Sequence, residues 1–240
     1  MLENSVTWLA FCISSQFTKS IVHIFPSAGS IAAPYQVRFS LTLLRTGERP
    51  RTIMADGVKL GQPDGFRFDQ VFPESANIST PQAVLLEVST AQAKVDLSTS
   101  DCVIEFASQN SSIKYRPQRL VEEVVSLAPF IAYRNSELIT SIVTVNAMDA
   151  VTRFSIQRMV EEGEVTSDKY WELVNFEVPA HGILEYQLSD LPYMKQKKVI
   201  ESGQAGLFLK SGCIGVTHYL INREIKTHRL VSVTNLCGVA

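Results

Sequence analysis

Two histidines carry the best case for metal chemistry in this chain. His218 and His228 lie on stretches that read as consecutive strands joined by Ile221-Asn222-Arg223-Glu224-Ile225. A hairpin there would bring the two imidazoles together, with Asp190 or Glu201 offering an oxygen, the kind of convergence a metal-dependent sugar-modifying protein needs. The plainer reading is two half-exposed strand histidines. His23 has Thr144 at its counterpart position in the second half, and His181 falls in a turn, so neither extends the set.

Aromatic residues form the second candidate. Tyr170, Trp171 and Tyr193, with Tyr186 nearby, offer ring faces on which a sugar or another small ligand could stack. Core packing accounts for Trp171 and Tyr186 equally well. Neighbours on a strand point to opposite faces, so only one of Tyr170 and Trp171 can enter a core and the other is expected at the surface.

The remaining reactive groups are less promising. Glu122-Glu123 and Glu161-Glu162-Gly163-Glu164 read as solvated turns, not as an acid and base held across a substrate. No nucleophile elbow of the G-x-S-x-G type occurs, and no catalytic residue is assigned. Cys12, Cys102, Cys213 and Cys237 show no C-x-x-C spacing and read as buried free thiols in a reducing compartment. Lys195-Gln196-Lys197-Lys198 reads as a basic loop, too short to hold a membrane but able to bias docking toward an acidic partner.

What must position these groups is a set of strands, because the dominant hydrophobic period is two. Ser20 to Ile24 and Gln36 to Leu44 alternate, and turns follow at Arg45-Thr46-Gly47-Glu48, Asp56-Gly57 and Asp64-Gly65. Further strands are expected at Ala83 to Val88, Ala93 to Leu97 and Cys102 to Phe106, then from Glu137 to Val145, Val151 to Val160, Tyr170 to Val178, Ile183 to Leu188, Ala205 to Leu209, Gly215 to Ile221 and Thr227 to Val233. Leu120 to Ala128 fits a short amphipathic helix or a strand, and Leu191 to Lys198 reads as a loop.

These strands come in two similar series. Ser15 to Ile24 matches Ser136 to Val145, roughly 121 residues on, with polar and apolar positions in step. Val37 to Leu41 matches Thr152 to Ile156 if the first copy has the longer loop supplied by Phe25 to Pro34, and Gln82 to Leu86 matches Gln204 to Phe208. The expected fold is therefore all-β, two tandem, internally duplicated β-sandwich domains of jelly-roll-like form, one over residues 1–118 and one over 119–240.

Composition agrees. The chain has 240 residues, 45% hydrophobic and 19% charged, enough to bury a core in each half. A net charge of −2 gives no basic field for nucleic acid. Met1-Leu2-Glu3-Asn4-Ser5 lacks a basic signal-peptide start, and no apolar run reaches the ~18 residues needed to span a bilayer. A cytoplasmic protein without membrane insertion is expected.

Thr144-Val145-Asn146-Ala147-Met148-Asp149, then Arg153-Phe154-Ser155-Ile156, Val178-Pro179-Ala180-His181-Gly182 and Leu188-Ser189-Asp190-Leu191, make the second half resemble the sensory rhodopsin transducer family of small bacterial β-sandwich proteins. The resemblance implies a non-catalytic oligomeric sandwich that binds a membrane receptor or a small ligand. The first copy departs from it, with Gln62-Pro63-Asp64-Gly65 at the corresponding hairpin. Together these readings predict a non-catalytic interaction or ligand-binding protein, adaptor- or transducer-like, without a cofactor, acting on a protein partner or small ligand as a homo-oligomer. The alternatives are a carbohydrate-binding or metal-dependent sugar-modifying protein, and a structural subunit of a larger assembly.

Overall fold

The computed structural model describes residues 4–25, 37–54, 65–90, 96–109, 111–120, 127–135, 137–161, 169–212 and 215–236. The loop 26–34, the turn Asp56-Gly57, Gln62-Pro63-Asp64, the strand start at Ala93, the segment 121–126, Glu162 to Glu164, Cys213 and Cys237 lie outside those residues. The fold is all-β, and the chain divides into two compact units, the first built on residues 1–120 and the second on 121–240 apart from the tripeptide 181–183.

In the first unit, β1 (Asn4–Ser14), β2 (Lys19–Phe25), β3 (Val37–Leu44), β4 (Arg51–Met54), β5 (Phe66–Arg67), β6 (Ile78–Thr90), β7 (Asp101–Ala107), β8 (Ser112–Tyr115) and β9 (Gln118–Arg119) form a sheet folded over at its middle. One half runs β4-β3-β6-β1, the other β5-β2-β7-β8, and β1 and β2 pair only where Ser14 meets Lys19. Beyond that point β1 belongs to β6 and β2 to β7, so the halves face each other. Their shared core includes Phe11 from β1 against Phe106 and Tyr115 from β7 and β8, with ring centroids 5.2 to 5.6 Å apart. Cys12 and Cys102 are buried free thiols, and burial pushes the Cys12 thiol up to about 12, with a smaller opposing effect from Ser20.

Turn chemistry follows the glycines. Gly47 takes φ +77° between β3 and β4, and Gly65 takes φ +61° at the entry to β5. A Cβ on Gly65 would sit 2.7 Å from the Val22 carbonyl oxygen, so this position needs both the left-handed conformation and the missing side chain. After Phe66-Arg67 the chain turns into a short helix α1 (Phe68–Val71) that buries Phe68 against Phe72.

The second unit holds β10 (Ala128–Tyr133), β11 (Leu138–Asn146), β12 (Thr152–Met159), β13 (Tyr170–Val178), β14 (Ile183–Gln187), β15 (Gln204–Ser211), β16 (Val216–Glu224) and β17 (Leu230–Asn235). They form two four-stranded sheets, β10-β15-β12-β13 and β14-β11-β16-β17. One apolar core takes residues from both, among them Phe130, Phe154, Ile156 and Leu207 from the first sheet and Ile142 and Leu220 from the second. The strand order repeats that of the first unit, with β3 at the place of β12, β6 at that of β15 and β2 at that of β11, the three pairs matched in sequence.

Leu191 to Lys198 is not a plain loop. Turns of 3-10 helix at Leu188–Asp190 and Pro192–Lys195 lead into α2 (Lys197–Ser202). Leu188, Leu191 and Met194 recur every third residue, the 3-10 period, and all three enter the core; Pro192 opens the second turn with its φ already set. Asn146 ties two turns of this unit together: its side-chain amide donates to the carbonyls of Ala150, Val178 and Pro179 at 2.8 to 3.2 Å, and its oxygen accepts from Met148 N–H at 2.9 Å. One buried amide thus holds the Asn-Ala turn to the Val-Pro hairpin. No helix of the described residues is long and apolar enough to cross a membrane.

Candidate functional site

The site is built from an irregularity in the pairing of β12 with β13. Phe154 opposes Phe176 and Ile156 opposes Val174, but Gln157 opposes Glu172, so β13 carries one extra residue, Leu173. This bulge shifts everything beyond it by one position. Arg158 consequently faces Trp171 where a regular ladder would give it Glu172.

Arg158 is 9% exposed, and aromatic rings supply much of its cover. Its guanidinium lies 5.6 Å from the Trp171 ring centroid and 5.5 Å from that of Tyr193, and its Nη1 donates to the Met159 carbonyl at 2.9 Å. Lys198 lies 5.5 Å from the Tyr193 ring and pairs with Glu161. Cation–π contacts of this kind contribute about 0.5 to 2 kcal/mol each, more where water is excluded. Arg158 thus contacts the rings of both Trp171 and Tyr193.

Tyr170 is on the other face. Its ring meets Phe208 edge-on at 4.9 Å, and Lys169 lies 5.7 Å from it. Trp171 stays 46% exposed at the end of its strand, and Tyr170 is half-buried, so neither residue is a core aromatic.

A fork opens beside this clamp. β15 pairs with β10 from Gln204 to Leu209, but with β12 only through Phe154↔Ser211 to Gln157↔Phe208. Past Gln157 the two strands part, and a groove of about 470 Å³ occupies the gap. Arg158, Met159 and Glu161 wall one side, Gly206 and Phe208 the other, with Ile131 of β10 and Tyr193 completing it. Ile131 and Met159 are 46% and 51% exposed, so two large apolar side chains flank a glycine that would have nothing within 4 Å of its Cβ.

The histidines do not converge. His218 sits near the start of β16, opposite Thr144, and points into the core, edge-on to Phe154 at 5.0 Å. Its Nδ1 shares a hydrogen with Thr144 Oγ1 at 2.9 Å, and Nε2 is buried without a partner among the described residues; burial holds its pKa down, to about 3. His228 is an exposed turn residue at φ +54° whose N–H donates to the Glu224 carbonyl. Six residues of β16 separate His218 from that turn, roughly 20 Å at strand rise, too far for one metal ion. His228 lies in a turn because the connection is longer than the expected strand start at Thr227, and β17 begins only at Leu230. Among the described residues no group of three or more His, Cys, Asp or Glu is placed to hold a metal.

In the first unit, His23 Nε2 lies 2.9 Å from Glu105 Oε2, and Lys114 Nζ is 3.2 Å from the same oxygen. Burial alone would raise the Glu105 pKa; hydrogen bonds from Lys114, Ser112 and His23 outweigh it and leave the carboxyl below its usual range. The cluster joins β2, β7 and β8 on the outer side of their sheet.

Sequence reasoning missed Arg158 and Gly206. Both left a signal: period two places Arg158 in register with Phe154 and Ile156, an inward position for a charge, and Gly206 interrupts a strand where its match in the first copy is Val84. No known family model matches the chain, and no curated protein matches it in sequence.

Proposed function

We propose that this protein is a non-catalytic binding protein, adaptor- or transducer-like, that engages a protein partner or small ligand at the fork between β12 and β15 and acts as a homo-oligomer. The observation that carries the reading is the groove itself: a concave, mostly apolar gap with a few oriented polar groups at one end, the usual make-up of a binding site. The resemblance to the sensory rhodopsin transducers supports the same role. The shared strand order and the matched segments support descent of the two units from one duplicated sandwich.

Cross-linked affinity capture from native cells, with light scattering on the same preparation, tests the proposal. A stoichiometric partner lost on Met159→Lys and Ile131→Lys, but kept on the exposed control Ile225→Lys, is the expected result. Capture unaffected by both groove variants would overturn it.

Trp171 favours a second reading, sugar binding, because it keeps nearly half its surface in water while Arg158 fixes its orientation. Glycan-array binding lost on Trp171→Ala would establish that reading over the first.

A further inference from the structure

We infer that the fork takes an extended peptide as an added strand, paired to the backbone of Gly206. The inference rests on the binding role proposed for the groove and specifies its ligand.

The argument begins with the direction of the backbone groups in β15. In an antiparallel ladder, alternate residues turn both N–H and C=O toward one neighbour, and the residues between turn theirs toward the other. Three observations fix which are which. Arg134 N–H donates to the Gly203 carbonyl at 2.9 Å, so residue 203 faces the β10 side. Tyr133, opposite Gln204, gives its N–H to Thr140 Oγ1 at 2.9 Å instead of to β15. Pro129, opposite Phe208, has no N–H to give. Residues 203, 205, 207 and 209 therefore serve β10, and 204, 206 and 208 face β12.

Along that second edge, Phe208 meets Gln157, where the β12 ladder stops. The Gln204 carbonyl is taken by the Ser202 hydroxyl at 2.8 Å. Gly206 lies between them, and β12 offers it no partner. Its N–H and C=O open into the groove as one donor and one acceptor at strand spacing. This is the exposed-edge arrangement on which an extended peptide can dock, with main-chain hydrogen bonds giving affinity and flanking pockets giving side-chain preference.

The surroundings select the peptide. Ile131 and Met159 provide apolar walls on either side of Gly206, and Phe208 provides the next apolar contact along the strand. Alternate peptide side chains would meet these walls, so apolar residues at every second position fit. The charged residues that line the groove are Arg158 and Glu161, and Lys198 pairs with Glu161. A saccharide fits less well, since it needs several polar groups aimed into the gap and the walls here are apolar.

Panning a random linear heptapeptide library on the intact protein, then measuring the enriched synthetic peptides by fluorescence polarisation, tests the inference. Enriched sequences should alternate apolar residues. Gly206→Val, whose Cβ meets nothing within 4 Å, crowds the groove beside Ile131 and Phe208; N-methylation of single peptide amides is the decisive change, because it removes a main-chain donor and leaves every side chain in place. Binding should fall roughly tenfold or more in this variant, and by a similar factor when one peptide amide is N-methylated, as the loss of a backbone pair requires. The Gly206 amide should exchange more slowly with peptide bound. Peptides that bind as well when each amide in turn is N-methylated, but fail on Met159→Lys, would overturn strand addition and leave the groove as a binding site. Peptides indifferent to both changes, or no enrichment, would overturn both readings.

Discussion

The Tyr115 hydroxyl serves both backbone groups of Phe11, accepting from its N–H at 3.0 Å and donating to its carbonyl at 2.6 Å. The relationship shows how one strand leaves its neighbour without stranding its edge. On the side of β1 away from β6, the Thr7 carbonyl accepts from Leu120 N–H, Leu9 pairs with Gln118 of β9, Phe11 has Tyr115, and both backbone groups of Ile13 bond the Ser20 hydroxyl at 2.7 to 2.8 Å. Every second residue is satisfied, two of them by side chains, because β2 has turned away to build the other half of the sheet. Tyr115→Phe keeps the ring stack with Phe11 and Phe106 and removes only the bridge. Leaving a buried donor and acceptor unmade costs roughly 1 to 3 kcal/mol. Urea denaturation should show that loss, with amide protection falling first at Phe11; unchanged stability would mean water replaces the hydroxyl.

Arg158 and Trp171 should be energetically coupled. A double-mutant cycle with Arg158→Met and Trp171→Leu is expected to give about 0.5 to 2 kcal/mol of interaction energy. Because the partner is a ring quadrupole and not a carboxylate, the coupling should change little between low and high salt. A coupling that vanishes in salt would assign Arg158 to an ion pair instead.

The strands were legible because alternating burial leaves a strong period-two trace, as in β7, where Cys102, Ile104 and Phe106 point inward and their neighbours outward. Segments matched in sequence also proved to occupy equivalent places in the two strand orders. The site was less legible, for identifiable reasons. A one-residue bulge at Leu173 changes which residue Arg158 meets, and nothing in a single sequence marks such a shift. The recurrence of Leu188, Leu191 and Met194 at three-residue spacing is too short to stand out from a loop. The distance between His218 and His228 depended on where a turn ended, and strand ends are the least determined part of any reading by pattern.

His218 should make the fold acid-sensitive. Its folded pKa, about 3, lies below the ordinary value of 6.5 because burial disfavours the imidazolium. As pH falls below 6.5 the unfolded chain takes up a proton that the folded chain refuses, so stability declines from pH 6.5 toward pH 3 and this contribution then levels off. The total is on the order of a few kcal/mol. His218→Phe should flatten the decline across that window, leaving the carboxylate contribution of groups such as Glu105 at the acid end. A variant with an unchanged pH profile would show that His218 is not the group responsible.

Two glycines should respond in opposite ways to the same change. At Gly65 a methyl group would meet the Val22 carbonyl oxygen at 2.7 Å and His23 Nδ1 at 2.8 Å, in a backbone at φ +61° that side chains disfavour. The carbonyl oxygen is backbone and cannot move without shifting β2, whose Val22 pairs with Phe66 one residue away. Gly65→Ala should therefore cost more than about 1 kcal/mol, the usual left-handed penalty, since the steric overlap adds to it. At Gly206 the added methyl meets nothing within 4 Å, and alanine narrows the unfolded ensemble, so Gly206→Ala should be neutral or stabilising by about 0.4 to 1 kcal/mol. Thermal unfolding of the two variants side by side decides the matter. A strand residue that can gain a side chain without loss has no structural need to be glycine, and a stabilised Gly206→Ala would place the reason for that glycine outside the fold, in whatever approaches its backbone.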